Sequence, residues 1–151
     1  MKFEEVLGEV LAETGLPVAG QSDGQGFSLL FDNEHEVEFE PDAEDGSVVF
    51  HAEVGDADRL GDAALRALFE ASLLGANTDG AAFSIEPRFS KVVLWKRCHE
   101  FSGAAALRRE LEAFLGQMVH WKKRLADGFG EIATTERTEP LGTFQGGFLQ
   151  V

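Results

Sequence analysis

The apolar seam from Ala104 to Leu125 constrains this chain more than any other feature of its sequence. Ala104, Leu107, Leu111, Phe114, Met118, Trp121 and Leu125 recur at alternating spacings of three and four, the period of one helix face. A long helix with a single apolar stripe must bury that stripe against another element. About three heptads dock on a sheet as readily as on a second helix, so the seam does not establish a coiled coil. Ser102 stands where a capping side chain would begin this helix.

The rest of the chain supplies the partner. Phe3, Val6, Leu7, Val10 and Leu11 share a stripe in residues 3–14, with Glu4, Glu5, Glu9 and Glu13 around it, and Gly15 and Pro17 end that helix. Residues 18–26, VAGQSDGQG, read as a glycine-rich polar loop. Three strand patterns follow: FSLLF at 27–31, HEVEFE at 35–40 and SVVFHAEV at 47–54, joined by short turns. In the second, His35, Val37 and Phe39 point inward while Glu36, Glu38 and Glu40 point to solvent. Short connections make neighbours antiparallel, so these strands form a meander.

Asp56 or Asp58 can cap a helix over about 59–74. Leu60, Ala64, Ala67, Leu68, Ala71 and Leu74 form one stripe of it, and Leu65, Phe69 and Leu73 a second. A helix apolar on two sides must be covered on two sides, by the core and by something else. Gly75 and Asn77 end it. AFSIE at 82–86 and KVVLWKR at 91–97 make a second hairpin, whose last strand is apolar on both faces and is expected to be buried on both. The order α-β-β-β-α-β-β-α predicts an α+β domain over residues 1–126, an antiparallel sheet packed with helices. Residues 127–151 form a tail rich in glycine that nevertheless carries Phe129, Ile132, Leu141, Phe144, Phe148 and Leu149. Such a tail is expected to lie on an apolar surface, its own or a partner's.

Composition narrows the function classes. The net charge is −14, distributed unevenly: −16 over residues 1–80 and +2 over residues 81–151. An acidic chain repels phosphate backbones, so a nucleic-acid partner is not expected. No run approaches eighteen apolar residues, so no membrane insertion is expected either. Carboxylates interrupt the apolar pattern at the start, which does not read as a signal peptide, and the lone Cys98 fits a reducing cytoplasm.

Chemistry-bearing motifs are scarce. Cys98 and His99 are adjacent in a strand and so point to opposite faces; His35 and His51 could meet across neighbouring strands, but core or surface roles explain them better than a metal. No nucleophile elbow or phosphate-binding loop is present, and the glycines at 20, 24 and 26 precede a strand. No catalytic residue, metal or cofactor is expected. An acidic domain with spare apolar surface reads as a protein-binding module.

The segment LRALFEASLLGANTDGAAFSIEPRFSKVVLWKR, residues 65–97, resembles the middle of class I type III secretion chaperones, the CesT/Tir-chaperone family. The likeness rests on a leucine-rich helix ending in Leu73-Leu74-Gly75-Ala76-Asn77 and followed by a hairpin, and extends over roughly residues 1–126. The tail departs from the family pattern. The resemblance implies a cytoplasmic homodimer without ATPase activity that holds the N-terminal segment of a secreted effector extended and export-competent. By position it implies an effector groove lined by Phe3, Val6, Leu7, Val10, Leu29 and Phe31, for which plain hydrophobic core is the competing role. The doubly apolar helix and strand point to Leu65, Phe69, Leu73, Val93 and Trp95 as a dimer interface. Three rival readings stand beside this one. One is a YbjN-like regulatory module of the same fold; another is a small hydrolase or isomerase built on His51 and an acid; the third is a structural subunit donating Phe144 and Phe148.

Overall fold

The sheet is the frame on which everything else is placed. The computed structural model describes residues 3–15, 18–21, 26–99 and 101–128. Its strands are β1 (Val18–Gln21), β2 (Phe27–Phe31), β3 (His35–Pro41), β4 (Val48–Asp56), β5 (Ala82–Glu86) and β6 (Lys91–Cys98). They form one antiparallel sheet in the order β1-β2-β3-β4-β6-β5. Helices α1 (Phe3–Thr14), α2 (Asp62–Ala71) and α3 (Ala104–Ala126) complete the domain. This is the expected α+β architecture with one strand more.

The extra strand is β1, in a segment that reads from sequence as loop. Val18–Gln21 pairs with β2, with a shift of register between Val18 and Gly20. Backbone pairing at an edge needs no alternating side-chain pattern, so a four-residue strand containing glycine leaves little sequence signal.

Register assigns the sheet two unlike faces. Phe39 pairs with both Phe27 and Phe50, and Ala52 with Leu94, so these side chains share the helix-facing side. Phe3, Phe27, Phe39, Phe50, Phe101 and Phe114 pack there as a ring network, with centroids 5.0 Å apart for Phe27–Phe39 and 6.0 Å for Phe50–Phe114. The α3 seam closes this core: Leu107, Leu111, Phe114, Met118 and Trp121 are buried. The seam therefore docks on a sheet. The opposite face carries exposed Glu36, Glu38 and Glu40 in the alternation expected, and no helix covers it among the described residues. Val92 and Leu94 of β6 are buried, whereas Val93 and Trp95 on the open face are only half-buried. β6 is thus central in the ladder yet covered on one side.

The expected helix at 59–74 is broken into three pieces. A 3-10 turn spans Ala57–Arg59, α2 runs Asp62–Ala71, and a second 3-10 turn follows at Leu73–Gly75. Neither aspartate caps α2, whose N-cap is Gly61. Asp56 instead binds Lys91 Nζ at 2.5 Å, and Asp58 accepts a hydrogen bond from Ser90 Oγ at 2.6 Å. Ser102 does not cap α3 either; its N-cap is Gly103, at φ 139°. Ion pairing and glycine conformation displaced the capping roles that residue type alone suggested. The expected docking of the tail falls outside the described residues.

Candidate partner-binding surface

Helix α2 divides its two apolar stripes between inside and outside. Ala64, Leu68 and Ala71 are buried against the sheet. On the other stripe Phe69 is 74% exposed and Leu73 is 50% exposed, while Leu65 is half-buried. The outer stripe meets edge strand β5 in a shallow groove lined by Leu65, Leu68, Phe69, Phe83, Ile85 and Val92. Ile85 is 49% exposed there. Trp121 of α3 supports the floor from behind, its ring 4.8 Å from that of Phe83.

The loop after α2 extends this surface. Leu73 and Leu74 occupy its first turn, and Leu74 is 78% exposed. Gly75 and Gly80 then approach so closely that a Cβ on Gly75 would fall 2.5 Å from Gly80 Cα. The loop is tied to the body by Lys96 Nζ, which donates to the Asp79 carbonyl at 2.7 Å, and by Gln117 Nε2, which donates to the Asp79 carboxylate at 2.7 Å. Phe89, at 64% exposure, tips the β5–β6 hairpin with the Arg88 guanidinium 5.1 Å over its ring. Glu86 holds that tip by accepting the N–H groups of Arg88 and Phe89.

Of the expected dimer residues, Leu65 and Phe69 are brought together on α2, and Leu73 follows in the 3-10 turn after it. Val93 and Trp95 lie on the open face of the sheet, where Trp95 Nε1 donates to Ser84 Oγ at 2.8 Å. The five residues therefore flank the two sides of β5 and do not form one continuous patch. Sequence reasoning missed Ile85 and Phe89. An apolar ring inside a Pro-Arg-Phe-Ser turn was the available signal for Phe89.

The six expected groove residues fare differently. Phe3, Val6, Leu7, Val10, Leu29 and Phe31 are all buried in the hydrophobic core, none more than 9% exposed. In this structure they have the competing role, because α1 lays its stripe directly on the ring cluster of the sheet.

The histidine pair does not assemble. His35 shares the helix-facing side with Val37 and Phe39, whereas His51 lies on the open side, opposite Glu38 and Trp95 in the ladder. His51 Nε2 is 2.9 Å from Glu40 Oε1 and 3.9 Å from a Glu38 oxygen. An acid therefore does meet His51, on a sheet face that no helix of the described residues covers. No group of three or more potential metal ligands occurs among the described residues. Cys98 is buried, and burial pushes its thiol up to about 11, which leaves it protonated and a poor nucleophile at neutral pH.

A separate opening lies where β3 and β4 part. They pair only from Glu38↔His51 to Pro41↔Val48, and beyond that Glu34, Glu36, Glu38, Glu53 and Lys122 line an open, polar cleft. No helix of the described residues is long and apolar enough to cross a membrane.

Several solved structures share this fold. The ExsC–ExsE complex contains a chain with TM-score 0.68 and 23% identity, covering 81% of this chain and 92% of its own. The Yersinia pestis type III secretion chaperone SycH, solved with a stable fragment of YscM2, gives TM-score 0.60 and 15% identity over 78% of this chain and 97% of its own. YbjN from E. coli gives TM-score 0.56 and 13% identity over 82% and 91%. No curated protein sequence matches the chain. Residues 5–122 match the Tir chaperone protein family, a span that takes in α2, most of α1 and α3, the six described strands and the exposed α2–β5 surface. The chain belongs to the Tir chaperone protein (CesT) family.

Proposed function

We propose that this protein is a cytoplasmic type III secretion chaperone that binds the N-terminal segment of a secreted effector in extended form. The binding keeps that segment unfolded and export-competent without ATP hydrolysis. Family membership supports the reading, as does the likeness to SycH, a type III secretion chaperone bound to a fragment of another protein. The observation that carries it is an exposed apolar set, Phe69, Leu73, Leu74 and Ile85, on a chain of net charge −14, which fits a chaperone that pairs with its own copy there and takes its client at the far sheet edge. Isolated exposed leucines are ordinary; an adjoining set on a helix, its following turn and an edge strand marks an interaction surface.

A second copy of the chain is the occupant that best fits α2. Arg66 and Glu70 are exposed and flank the outer stripe. Two α2 helices crossing antiparallel near Leu68 set Arg66 of each against Glu70 of the other, the self-complementarity that a two-fold interface requires. Because β5 is the sheet edge, a copy docked along it reaches the α2 stripe on one side and Val93 and Trp95 on the other. The client is then left the opposite end of the sheet, where edge strand β1 offers backbone groups for strand addition and Leu11 and Phe27 form the half-buried rim of the core.

The test is affinity purification of the tagged protein from its host cytosol, followed by limited proteolysis and mass spectrometry. A larger protein protected only along its N-terminal stretch is the expected product. Recovery of a protein protected over a whole folded domain would replace this reading with that of a YbjN-like regulatory module.

A further inference from the structure

Leu74 is doubly unfavourable in the isolated chain. Its backbone lies in the left-handed region, at φ 52° and ψ 19°, and its side chain is 78% exposed. Among the described residues the other non-glycine positions with positive φ are Asp32, Asn33, Asp79 and Ser90. These are short polar residues, and aspartate and asparagine in particular tolerate that conformation. A leucine there is disfavoured by roughly tenfold relative to glycine.

The turn itself explains the torsion and not the leucine. Gly75, at φ 68°, must pass against Gly80, and its carbonyl accepts the N–H groups of Thr78 and Gly80. A left-handed residue at 74 serves that geometry, and glycine or asparagine would supply it without strain. Lys96 and Gln117 then fix the loop against β6 and α3 through Asp79. The result is an apolar side chain held out rigidly beside Leu73, at the end of the outer α2 stripe. Backbone strain that gains no burial inside the molecule points to a contact made outside it.

We infer that Leu74 is a preformed contact for the second copy of the chain, with its strain offset by burial only on association. The inference rests on the dimer reading above, since the turn is continuous with the stripe where Arg66 and Glu70 make a two-fold pairing self-complementary. The loop is set before the partner arrives, so little ordering is lost on docking. Substitutions that relax the turn therefore act in opposite directions on the two states: the lone chain is relieved of its strain, and the dimer loses a contact.

The experiment compares wild type with Leu74→Asn and, as a second relaxed variant, Leu74→Gly. Sedimentation equilibrium reads the dimer dissociation constant, and thermal unfolding at concentrations where the chain is monomeric reads the fold. Both variants are expected to raise the dissociation constant tenfold or more while the monomer midpoint stays level or rises. A dimeric wild type whose variants associate within twofold of it overturns the inference and leaves the dimer reading standing. A fall in the monomer midpoint shows that Leu74 serves its own chain, and also overturns it. A wild type that stays monomeric at every concentration removes both the dimer reading and the inference.

Discussion

Lys96 of β6 reaches across the core boundary to Glu110 of α3, with Nζ 2.5 Å from the carboxylate, while its side chain is only 16% exposed. The same ammonium holds the Asp79 carbonyl, so a single cation joins the sheet, the long helix and the loop after α2. Removing Glu110 leaves a mostly buried charge short of one partner. Glu110→Gln is expected to lower the unfolding free energy by about 1–2 kcal/mol. Urea unfolding checks this; a midpoint equal to wild type would show that the pair is merely a surface contact.

Gly75 is the least replaceable glycine of that loop. Its φ of 68° and the 2.5 Å approach of a Cβ to Gly80 Cα leave alanine no room, because the obstructing atom is backbone. Gly75→Ala is expected to lose roughly 2–3 kcal/mol from overpacking and torsional strain. Gly8→Ala, on open helix surface with nothing within 4 Å, is the control and should be neutral or slightly stabilising.

Core substitutions separate packing from partner binding. Phe50 is fully buried and touches Phe3, Phe39, Phe101 and Phe114. Phe50→Ala is expected to cost about 3–5 kcal/mol, a large part of the roughly 5–15 kcal/mol that holds a domain of ordinary stability. Circular dichroism melting reads the loss, and a variant that melts within a few degrees of wild type would mean that the ring cluster does not hold the sheet to α1 and α3.

What was legible from sequence and what was not divides along a physical line. Alternation in residues 35–40 and the seam of α3 report which side of an element leaves water, and both were readable. The same signal cannot say what does the covering. Val6 and Val10 show the stripe that a client groove would show, yet α1 lays them on the phenylalanine cluster. Conversely, the second stripe of α2 was visible as a surplus: two apolar sides in a domain with few elements to cover them, and Phe69 is left open. The meeting of Phe69 with Ile85 was invisible, because it depends on β5 lying outside β6 at the sheet edge. Periodicity assigns Leu74 to the inner stripe of one continuous helix; α2 instead ends at Ala71 and Leu74 takes a left-handed torsion that leaves it exposed, which no side-chain pattern encodes.

The Asp56–Lys91 pair predicts a response at both ends of the pH scale. Bonding to Lys91 holds the Asp56 carboxyl below its ordinary value of 3.8, and bonding to Asp56 and then Glu53 raises the Lys91 ammonium above 10.5. A depressed carboxyl adds stability that is present above pH 3.8 and lost as pH falls through the lowered folded value. A raised ammonium adds stability that is complete below pH 10.5 and lost as pH rises through the raised folded value. Asp56→Asn should therefore flatten the dependence of the urea midpoint on pH below about 4. Identical acid limbs for variant and wild type would show that the pair is screened out in solution.

The dimer reading is tested most directly at Phe69. Its ring is 74% exposed, so a charge placed there meets water in the monomer and should change monomer stability by no more than about 0.5 kcal/mol. In a two-fold pairing of α2 helices the two Phe69 side chains lie close to the axis, and Phe69→Glu buries two like charges against each other. The variant is expected to keep its circular dichroism spectrum and melting behaviour at low concentration. In size-exclusion chromatography with light scattering it should run at half the wild-type mass. Arg66→Glu combined with Glu70→Arg is the companion, since exchanging both charges on both copies preserves their reciprocity and should leave the dimer intact. A Phe69→Glu protein that remains dimeric would move the interface off α2, toward the open sheet face of Val93 and Trp95.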